Sequence, residues 1–351
     1  MACCENCFDD YWLHQYFREN STKRGNCSYC DSKNARLMPV GEVARVFEPI
    51  FGLYKPIDSD TMMDFEDPLE VGDSLLTLVQ DDWGVFSQRL LDSHSDTTLL
   101  ERLANANWEK DSGEEKFYVQ DLYTRRVSWS HETLEFAFGR IVYEIGEDPD
   151  DEDVHEAVAN EIGEELAAFE EIIPSGREFF RGRAGVAFPG VPHSGGGIGA
   201  PPDGQASPGR ANAKGVSVLY VAREEKAAVA EMRVRAPKGP LSLCKARSLR
   251  DLRVLNVNKL PTINPFTAYR ESLGSELEVW ELLRAFGEEL CKPVTSDEDP
   301  QEYRITQKLC EAIRFRGYDG ILYGSTRREG GTNLVVFEPA VIAISDSWIT
   351  E

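Results

Sequence analysis

The sequence predicts an α+β protein, with a helical N-terminal half followed by a C-terminal domain of short strands and helices. Apolar residues recur at helical spacing in the first half, most clearly along one face made of Val154, Ala157, Val158, Ile162, Leu166 and Phe169. After residue 174, short runs of strand-forming residues are separated by irregular helical insertions. This order favours a mixed sheet over a doubly wound parallel one.

Composition limits the function classes. The chain has 351 residues, 41% hydrophobic and 28% charged, which is typical of a soluble protein with two or three domains. No apolar run is long enough to span a bilayer and the N-terminus lacks a signal-peptide pattern, so we expect a cytoplasmic protein without membrane partners. Residues 1–173 hold 14 basic against 39 acidic residues, within a net charge of −23. This acidic half argues against nucleic-acid binding.

The first predicted segment, residues 1–38, contains two CxxC pairs, Cys4 with Cys7 and Cys27 with Cys30. Paired CxxC knuckles are typical of four-thiolate zinc sites, because each knuckle supplies one edge of a tetrahedron. A segment this short cannot build its own core, so we expect a structural Zn²⁺ to hold it folded. Cys3 is an alternative to Cys4, with a poorer spacing to Cys7.

The second predicted segment, residues 39–173, is interpreted as an all-α domain. Two shorter helices are indicated by Leu75, Leu76 and Leu78 and by Phe86, Leu90 and Leu91. The helix that begins near Val154 is expected to end at Pro174-Ser175-Gly176, which also marks the boundary with the third domain, residues 174–351.

The third domain is predicted to contain two helices, Tyr269–Leu290 and Tyr303–Phe315. Its strand predictions are Glu178–Arg181, Val216–Val221, Leu241–Arg247, Leu252–Val257, Gly320–Tyr323, Asn333–Phe337 and Val341–Ser345.

One stretch of this domain, Gly199–Arg233, carries the densest functional pattern. A loop rich in Pro, Gly and Ser leads to Arg210 and Asn212 on a turn, then to a strand that ends at Tyr220. A helical run follows, with Glu231 between Ala230 and Met232. An isolated carboxylate on an apolar face is costly to bury for packing alone. The basic anchor, aromatic residue and acid together suit an anionic nucleotide.

Other nucleotide and hydrolase motifs do not fit. The glycines from Gly195 to Gly199 lack a following helix and the Lys-Ser/Thr pair of a P-loop. All five histidines precede residue 194, which disfavours a Ser–His–Asp triad built on Ser325. The run from Ser194 to Pro208 is interpreted either as a mobile cover over the pocket or as a disordered insertion.

With FFRGR before this stretch and YDGILYGS…GGTNLVVF after it, the chain resembles RES-domain proteins over roughly residues 175–345. The resemblance places Arg181, Glu231 and Ser325 at the positions that give the family its name. It implies an ADP-ribosyltransferase-like fold and NAD⁺ as substrate. The region between Arg235 and Arg304 departs from a minimal RES domain, being longer and more helical. The segment before the domain resembles HEPN-type helical domains.

The resemblance implies a role for each candidate. Arg181 would bind the phosphates through its planar fork, and Tyr220 would stack on nicotinamide or bind the ribose. Glu231 would hold the ribose hydroxyls and stabilise an oxocarbenium-like transition state, and Ser325 would bind the nicotinamide amide or ribose. Additional substrate contacts are expected from Arg183, Arg210, Asn212, Tyr323 and Asn333.

The leading functional hypothesis is an NAD⁺-degrading enzyme that passes ADP-ribose to water or phosphate, acting as a bacterial toxin or defence effector. The resemblance adds a cognate antitoxin or inhibitory protein as partner. The alternatives are a mono-ADP-ribosyltransferase that modifies a protein, and a module that senses nucleotides without turnover. A HEPN-type nuclease using Arg126 (or Arg125) and His131 is a further hypothesis that the acidic N-terminal half disfavours.

Overall fold

The computed structural model describes residues 1–57, 72–106, 116–118, 121–125, 133–151, 153–267, 273–292, 303–325 and 327–350. The chain divides into two compact units. The N-terminal unit is Met1–Ser128 with Thr262–Leu277, and the C-terminal unit is Trp129–Pro261 with Glu278–Glu351. The second part of the predicted helical segment therefore lies in the C-terminal unit, a division that differs from the predicted boundary at residue 173.

The N-terminal unit contains two small antiparallel sheets, in the strand orders β1-β3-β2 and β4-β6-β5. Its elements are β1 (Ala2–Cys4), α1 (Tyr11–Asn20), β2 (Lys23–Gly25), β3 (Ala35–Pro39), α2 (Val40–Phe51), β4 (Tyr54–Pro56), β5 (Asp73–Ser74), α3 (Leu75–Trp83), α4 (Gln88–Asp92), α5 (Asp96–Ala104) and β6 (Leu122–Arg125).

Capping explains where these helices begin. The side chains of Asp10, Ser74 and Ser87 each accept a hydrogen bond from a backbone amide in the first turn of α1, α3 and α4, respectively. The two short helices predicted around Leu75 and Leu90 are confirmed as α3 and α4. The unit is built around buried aromatic rings that contact one another, namely Phe8, Phe17, Phe47 and Phe86.

The prediction that residues 39–173 are all-α is wrong, because four strands lie within that range. Strands β4, β5 and β6 are only two to four residues long, too short for an alternating pattern to be visible. The helix from Val154 is shorter than predicted, since α7 (Val154–Glu161) is followed by a 3₁₀ turn at Glu165–Phe169 and by strand β7 (Glu170–Ile173). The acidic residues of β7 are held by tertiary ion pairs, Glu170 to Arg253 and Glu171 to Arg223.

The C-terminal unit contains a large mixed sheet in the order β14-β10-β8-β9-β13-β12-β11-β7, which confirms the α+β prediction for this region. Neighbouring strands are antiparallel except β11 and β12, which are parallel. The remaining elements are α6 (Leu134–Glu144), β8 (Glu178–Ala184), β9 (Leu219–Ala222), α8 (Glu225–Arg235), β10 (Leu241–Ser248), β11 (Leu252–Asn256), α9 (Leu273–Cys291, its residues up to Leu277 falling in the N-terminal unit), α10 (Arg304–Phe315), β12 (Gly320–Gly324), β13 (Thr332–Val336) and β14 (Ile342–Thr350).

The C-terminal core lies on this sheet. Side chains of α6, α7, α9 and α10 pack with Ile321, Val335 and other residues of the central strands. The region between Arg235 and Arg304 includes β10, β11 and α9, and α9 contributes Leu282, Leu283 and Phe286 to this core. No helix in the described ranges has the length and hydropathy required to span a membrane.

Candidate active site

Helix α8 presents Glu231. The helix begins three residues after strand β9 and is rich in alanine, with Ala227 and Ala228 buried. A Cβ atom at Gly182 of β8 would lie 2.5 Å from Cγ of Met232, so the glycine permits the close approach of α8 to the strand. Small residues on both elements therefore set the position of the helix that carries Glu231.

Glu231, Ser325 and Asn333 form one hydrogen-bonded group, here called the Glu231 cluster. The Ser325 hydroxyl donates to Oε1 of Glu231 at 2.7 Å, and Nδ2 of Asn333 donates to the same oxygen at 2.9 Å. Asn333 is 6% exposed, whereas Glu231 and Ser325 are half-buried. Within the described residues, Oε2 of Glu231 accepts no hydrogen bond. One carboxylate oxygen is thus held in place, and the second is left to bind another group.

Strands β12 and β13 deliver the two donors. In their antiparallel register Tyr323 pairs with Asn333 and Gly324 pairs with Thr332, which places Ser325 just beyond the end of the ladder. The amide of Ser325 donates to the carbonyl of Gly331 at 2.9 Å. The amide of Thr332 donates to Oε2 of Glu224, next to the start of α8. The same turn therefore holds Ser325 and joins the strands to the helix of Glu231.

Two other side chains lie beside the cluster. Burial raises the pKa of the Tyr323 phenol well above its ordinary value, and the charges of neighbouring Tyr220 and Glu231 add to the effect. Burial also raises the pKa of the Cys291 thiol to about 11, and its Sγ donates to the carbonyl of Gly324 at 2.9 Å. Both groups are therefore neutral near pH 7.

Arg181 lies where the sheet opens. Strands β8 and β9 pair at Phe180 and Ala222 alone within the described residues. The Arg181 guanidinium donates to the carbonyls of Tyr220 at 2.8 Å and Gly199 at 3.0 Å, and to that of Ile198. The planar fork of Arg181 therefore holds the glycine-rich loop against strand β9.

Arg183 makes a similar contact further along β8. This exposed side chain donates to the carbonyl of Gly197 in the same loop. Residues 195–197 form a short 3₁₀ turn, and Gly195 has a φ of +48°, in the region that favours glycine. The loop between Ser194 and Gly199 is thus ordered by two arginines, which disagrees with its interpretation as a disordered insertion.

The side chains of the turn Gly209–Asn212 (sequence GRAN), here called the GRAN turn, are predicted to contact the substrate but bond mainly to other parts of the protein. The Tyr220 hydroxyl donates to Oδ1 of Asn212 at 3.0 Å, and Nδ2 of Asn212 donates to two backbone carbonyls. Arg210 is 6% exposed; its Nε donates to the carbonyl of Lys292, and its guanidinium lies 4.8 Å from the ring centre of Tyr303. These contacts give Arg210 and Asn212 a role in shaping the turn.

One contributor to this region had no sequence signal. Nε2 of Gln307, on α10, donates to the carbonyls of Gly209 and Asn212 and thereby holds the GRAN turn. From sequence alone, a glutamine inside an amphipathic helix is expected to be exposed to solvent. Only the tertiary structure shows that Gln307 reaches the GRAN turn. Asn333, predicted only as an additional substrate contact, is one of the two donors to Glu231.

Comparison with known protein families identifies a domain in the C-terminal half of the chain. The family model of the RES domain matches residues 185–350. Residues 185–350 are a RES domain. This range contains Tyr220, Glu231, Ser325 and Asn333, whereas Arg181 and Arg183 lie immediately before it. No curated protein sequence matches the chain.

One solved structure is similar in part to this chain. It is the crystal structure of the M. tuberculosis MbcT-MbcA toxin-antitoxin complex, with a TM-score of 0.32 and 15% sequence identity. The match covers 54% of this chain and 92% of that chain.

The HEPN-type nuclease hypothesis is only partly within the described residues. Arg126 and His131 both lie outside them. Arg125 is described, and its guanidinium forms an ion pair with Asp82, which raises the pKa of the arginine and occupies it structurally.

The four cysteines of the two CxxC pairs also converge. The sulfurs of Cys4, Cys7, Cys27 and Cys30 all lie within 4.8 Å of one another, and all four residues are buried. This set, here called the cysteine cluster, belongs to the N-terminal unit and contains four donors suited to a thiophilic metal ion.

Proposed function

We propose that the RES domain is an enzyme that cleaves NAD⁺ between nicotinamide and ribose and passes ADP-ribose to water or inorganic phosphate. The observation that carries this proposal is the convergence of Ser325 and Asn333 on one oxygen of Glu231. The RES match supports an NAD-processing enzyme in general, and the cluster supplies a carboxylate suited to the glycosidic chemistry.

The chemistry needs little proton transfer at the first step. The C–N bond to ribose breaks and nicotinamide leaves with the electron pair as a neutral molecule, so no general acid is required. Positive charge develops on the ribosyl carbon as in other oxocarbenium-like transition states. A fixed carboxylate nearby stabilises that charge. Water then bonds to the same carbon and loses a proton to solvent; phosphate gives ADP-ribose-1″-phosphate instead.

The residues of the cluster divide the work. Two hydrogen bonds hold Oε1 of Glu231, so the carboxylate keeps its position without losing its charge. Oε2 is then free to accept from the ribose hydroxyls. Tyr323 interacts electrostatically with both Glu231 and Tyr220, and the rings of the two tyrosines would supply an aromatic wall for nicotinamide.

The phosphates of NAD⁺ are assigned to the opening between β8 and β9. Arg181 there donates to backbone carbonyls, and phosphate oxygens accept from a guanidinium fork in the same geometry. The glycine-rich loop would move when phosphate oxygens replace its carbonyls, which is consistent with the mobile-cover interpretation. Arg183 extends the same basic surface. An ADP-ribosyltransferase-like fold is part of this proposal.

The biological role proposed is that of a toxin or defence effector that depletes cytoplasmic NAD⁺. This follows from the resemblance to RES proteins, which are commonly restrained by a cognate antitoxin. An inhibitory protein partner is proposed on the same basis.

The test is nicotinamide release and NAD⁺ loss by the purified full chain, with and without inorganic phosphate. We expect release by the wild type and a loss of about 10²–10³-fold in Glu231→Gln, which keeps the shape and removes the charge. Glu225→Gln, an exposed acid in the first turn of the same helix, is the matched control and should retain full activity.

The alternatives are separate outcomes of this experiment. ADP-ribose attached to protein, without free ADP-ribose, would indicate a mono-ADP-ribosyltransferase. NAD⁺ binding without any product, in the presence of both water and phosphate, would indicate a sensor and overturn the enzymatic proposal.

A further inference from the structure

The cysteine cluster brings together two separate segments of the N-terminal unit. Cys4 ends β1, Cys7 ends the 3₁₀ turn after it, and Cys27 and Cys30 flank the turn between β2 and β3. The Sγ–Sγ distances are 4.0 Å for Cys4–Cys7, 3.4 Å for Cys4–Cys30 and 3.5 Å for Cys7–Cys27. These distances are too long for disulfide bonds, and all four thiols are free.

A tetrahedral zinc ion fits this arrangement. Zinc–thiolate bonds of about 2.3 Å place the four sulfurs about 3.8 Å from one another, close to the observed separations. A donor set of four sulfurs excludes calcium and magnesium, which bind oxygen ligands. We propose that Cys4, Cys7, Cys27 and Cys30 bind one structural Zn²⁺. Binding releases the four thiol protons to solvent, and no residue is oxidised or reduced.

Groups around the sulfurs support the same conclusion. The amide of Tyr29 donates to Sγ of Cys27 at 3.4 Å, and the Ser32 hydroxyl lies 3.1 Å from Sγ of Cys30. Nδ2 of Asn6 in turn donates to that hydroxyl at 3.2 Å. Hydrogen bonds of this kind orient thiolate ligands and offset their negative charge.

The structure also decides between Cys3 and Cys4. In β1, Cys3 pairs with Met38 and Cys4 pairs with Leu37, so the two side chains point to opposite faces of the small sheet. Sγ of Cys3 contacts the Met38 carbonyl at 3.9 Å, and Cys3 is not one of the four residues whose sulfurs lie within 4.8 Å of one another. Cys3 is therefore as buried as Cys4 but is excluded from the metal.

The proposed zinc stabilises more than the cysteine turns. Phe8 follows Cys7 directly and contacts Phe17, Phe47 and Phe86 in the aromatic core. The carbonyl of Cys7 accepts from the amide of Ser87 at 3.0 Å. Loss of the metal would release both the aromatic anchor and this contact, so the whole N-terminal unit depends on it. With four protein ligands, the ion has no position open for catalysis.

The experiment measures zinc content in the full chain purified without chelator. We expect one zinc per chain in the wild type and in Cys3→Ala, and none in Cys4→Ala. Cys3 and Cys4 are adjacent and equally buried, so general damage from losing a buried thiol would appear in both variants.

Two further measurements keep the proposal open to refutation if Cys4→Ala does not fold. Wild type stripped of metal and titrated with Co²⁺ should develop the absorption of a tetrahedral cobalt–thiolate centre. Hydrogen exchange after stripping should accelerate at Phe17 and Phe47 and remain unchanged in β12 and β13. Wild type without zinc that also fails to bind cobalt would overturn the proposal. Nicotinamide release is a separate readout, because this inference does not depend on the proposed function.

Discussion

The Glu231 cluster and the cysteine cluster are assembled in opposite ways. The cysteines lie within 26 positions of one another, in two knuckles whose spacing already prescribes the geometry. Glu231 and Asn333 are 102 positions apart and meet because α8 packs beside strands of the large sheet. Four cysteines can therefore be brought together by short segments that are close in sequence. A carboxylate held by Ser325 and Asn333 requires strands and a helix that are far apart in sequence.

The two clusters should therefore respond differently to change. Substitutions in the cysteine cluster are expected to act on the stability of the N-terminal unit. Substitutions in the Glu231 cluster are expected to act on turnover, with smaller effects on stability. The zinc measurements described above test the first expectation, and three predictions for the C-terminal unit follow in order of decreasing expected effect.

The largest effect is expected from the two donors to Glu231. Ser325→Ala should lower kcat/KM for NAD⁺ by about 10²-fold and Asn333→Ala by about 10-fold, because each removes one bond that positions the carboxylate. The effect of the double variant should differ from the product of the single effects, since both donors bind the same oxygen. Steady-state nicotinamide release measures this, with exposed Ser345→Ala as control. If Ser325→Ala greatly lowered the melting temperature but left the kinetics unchanged, the Glu231 cluster would act on stability and not on turnover, contrary to this prediction.

An intermediate effect is expected from Arg181→Lys, which retains the charge and loses the planar fork. Because three carbonyls share this guanidinium, the loop at residues 198–199 should exchange amide hydrogens faster. The KM for NAD⁺ should rise by about 10-fold if phosphates use the same fork. Arg177→Lys, an exposed change just before β8, is the control and should leave both quantities unchanged. Faster exchange with an unchanged KM would restrict Arg181 to loop positioning.

The smallest effect is expected for the pH dependence of stability that Asp319 gives to the C-terminal unit. Burial alone would raise the pKa of Asp319, but hydrogen bonds from Arg250 and from the Arg253 amide outweigh it and lower the pKa. A lowered pKa stabilises the fold above the unfolded value of about 3.9, and this contribution is lost as pH falls through the folded value. Asp319→Asn should cost about 1–2 kcal/mol at pH 7.

Denaturant unfolding at pH 7 and pH 3 measures this difference, with exposed Asp203→Asn as control. The cost of Asp319→Asn should shrink at the lower pH. An equal cost at both pH values would mean that the charge of Asp319 does not contribute.

Much of the C-terminal fold was predictable from local pattern. Each of the seven predicted strands overlaps an observed strand, and both predicted helices are present as α9 and α10. Strand β7 was missed because Glu170 and Glu171 make it resemble the end of an acidic helix. Its strand conformation comes from antiparallel pairing with β11 and from ion pairs to distant arginines.

The candidate site was predictable in its residues and less so in its contacts. Glu231 and Ser325 are predicted catalytic residues and do meet, whereas Asn333, the second donor to Glu231, is predicted only as an additional substrate contact. Arg210 and Asn212 carry donors that fit a phosphate, but within the fold Arg210 donates to the carbonyl of Lys292 and Asn212 donates to carbonyls of its own turn. The sequence shows which side chains can donate hydrogen bonds but not which groups accept them. The acceptors here are backbone carbonyls, whose positions are set by the tertiary structure.

By itself, the sequence determined the cysteine spacing, the strand and helix segments of the C-terminal domain, and the presence of an isolated acid on α8. These features depend on neighbouring residues and on the period of the backbone. Only the tertiary structure decided that Cys4 and not Cys3 joins the other three thiols, that Arg181 spans the opening between β8 and β9, and that two donors share one oxygen of Glu231. Those outcomes depend on strand order and helix packing, which minimise the free energy of the whole chain.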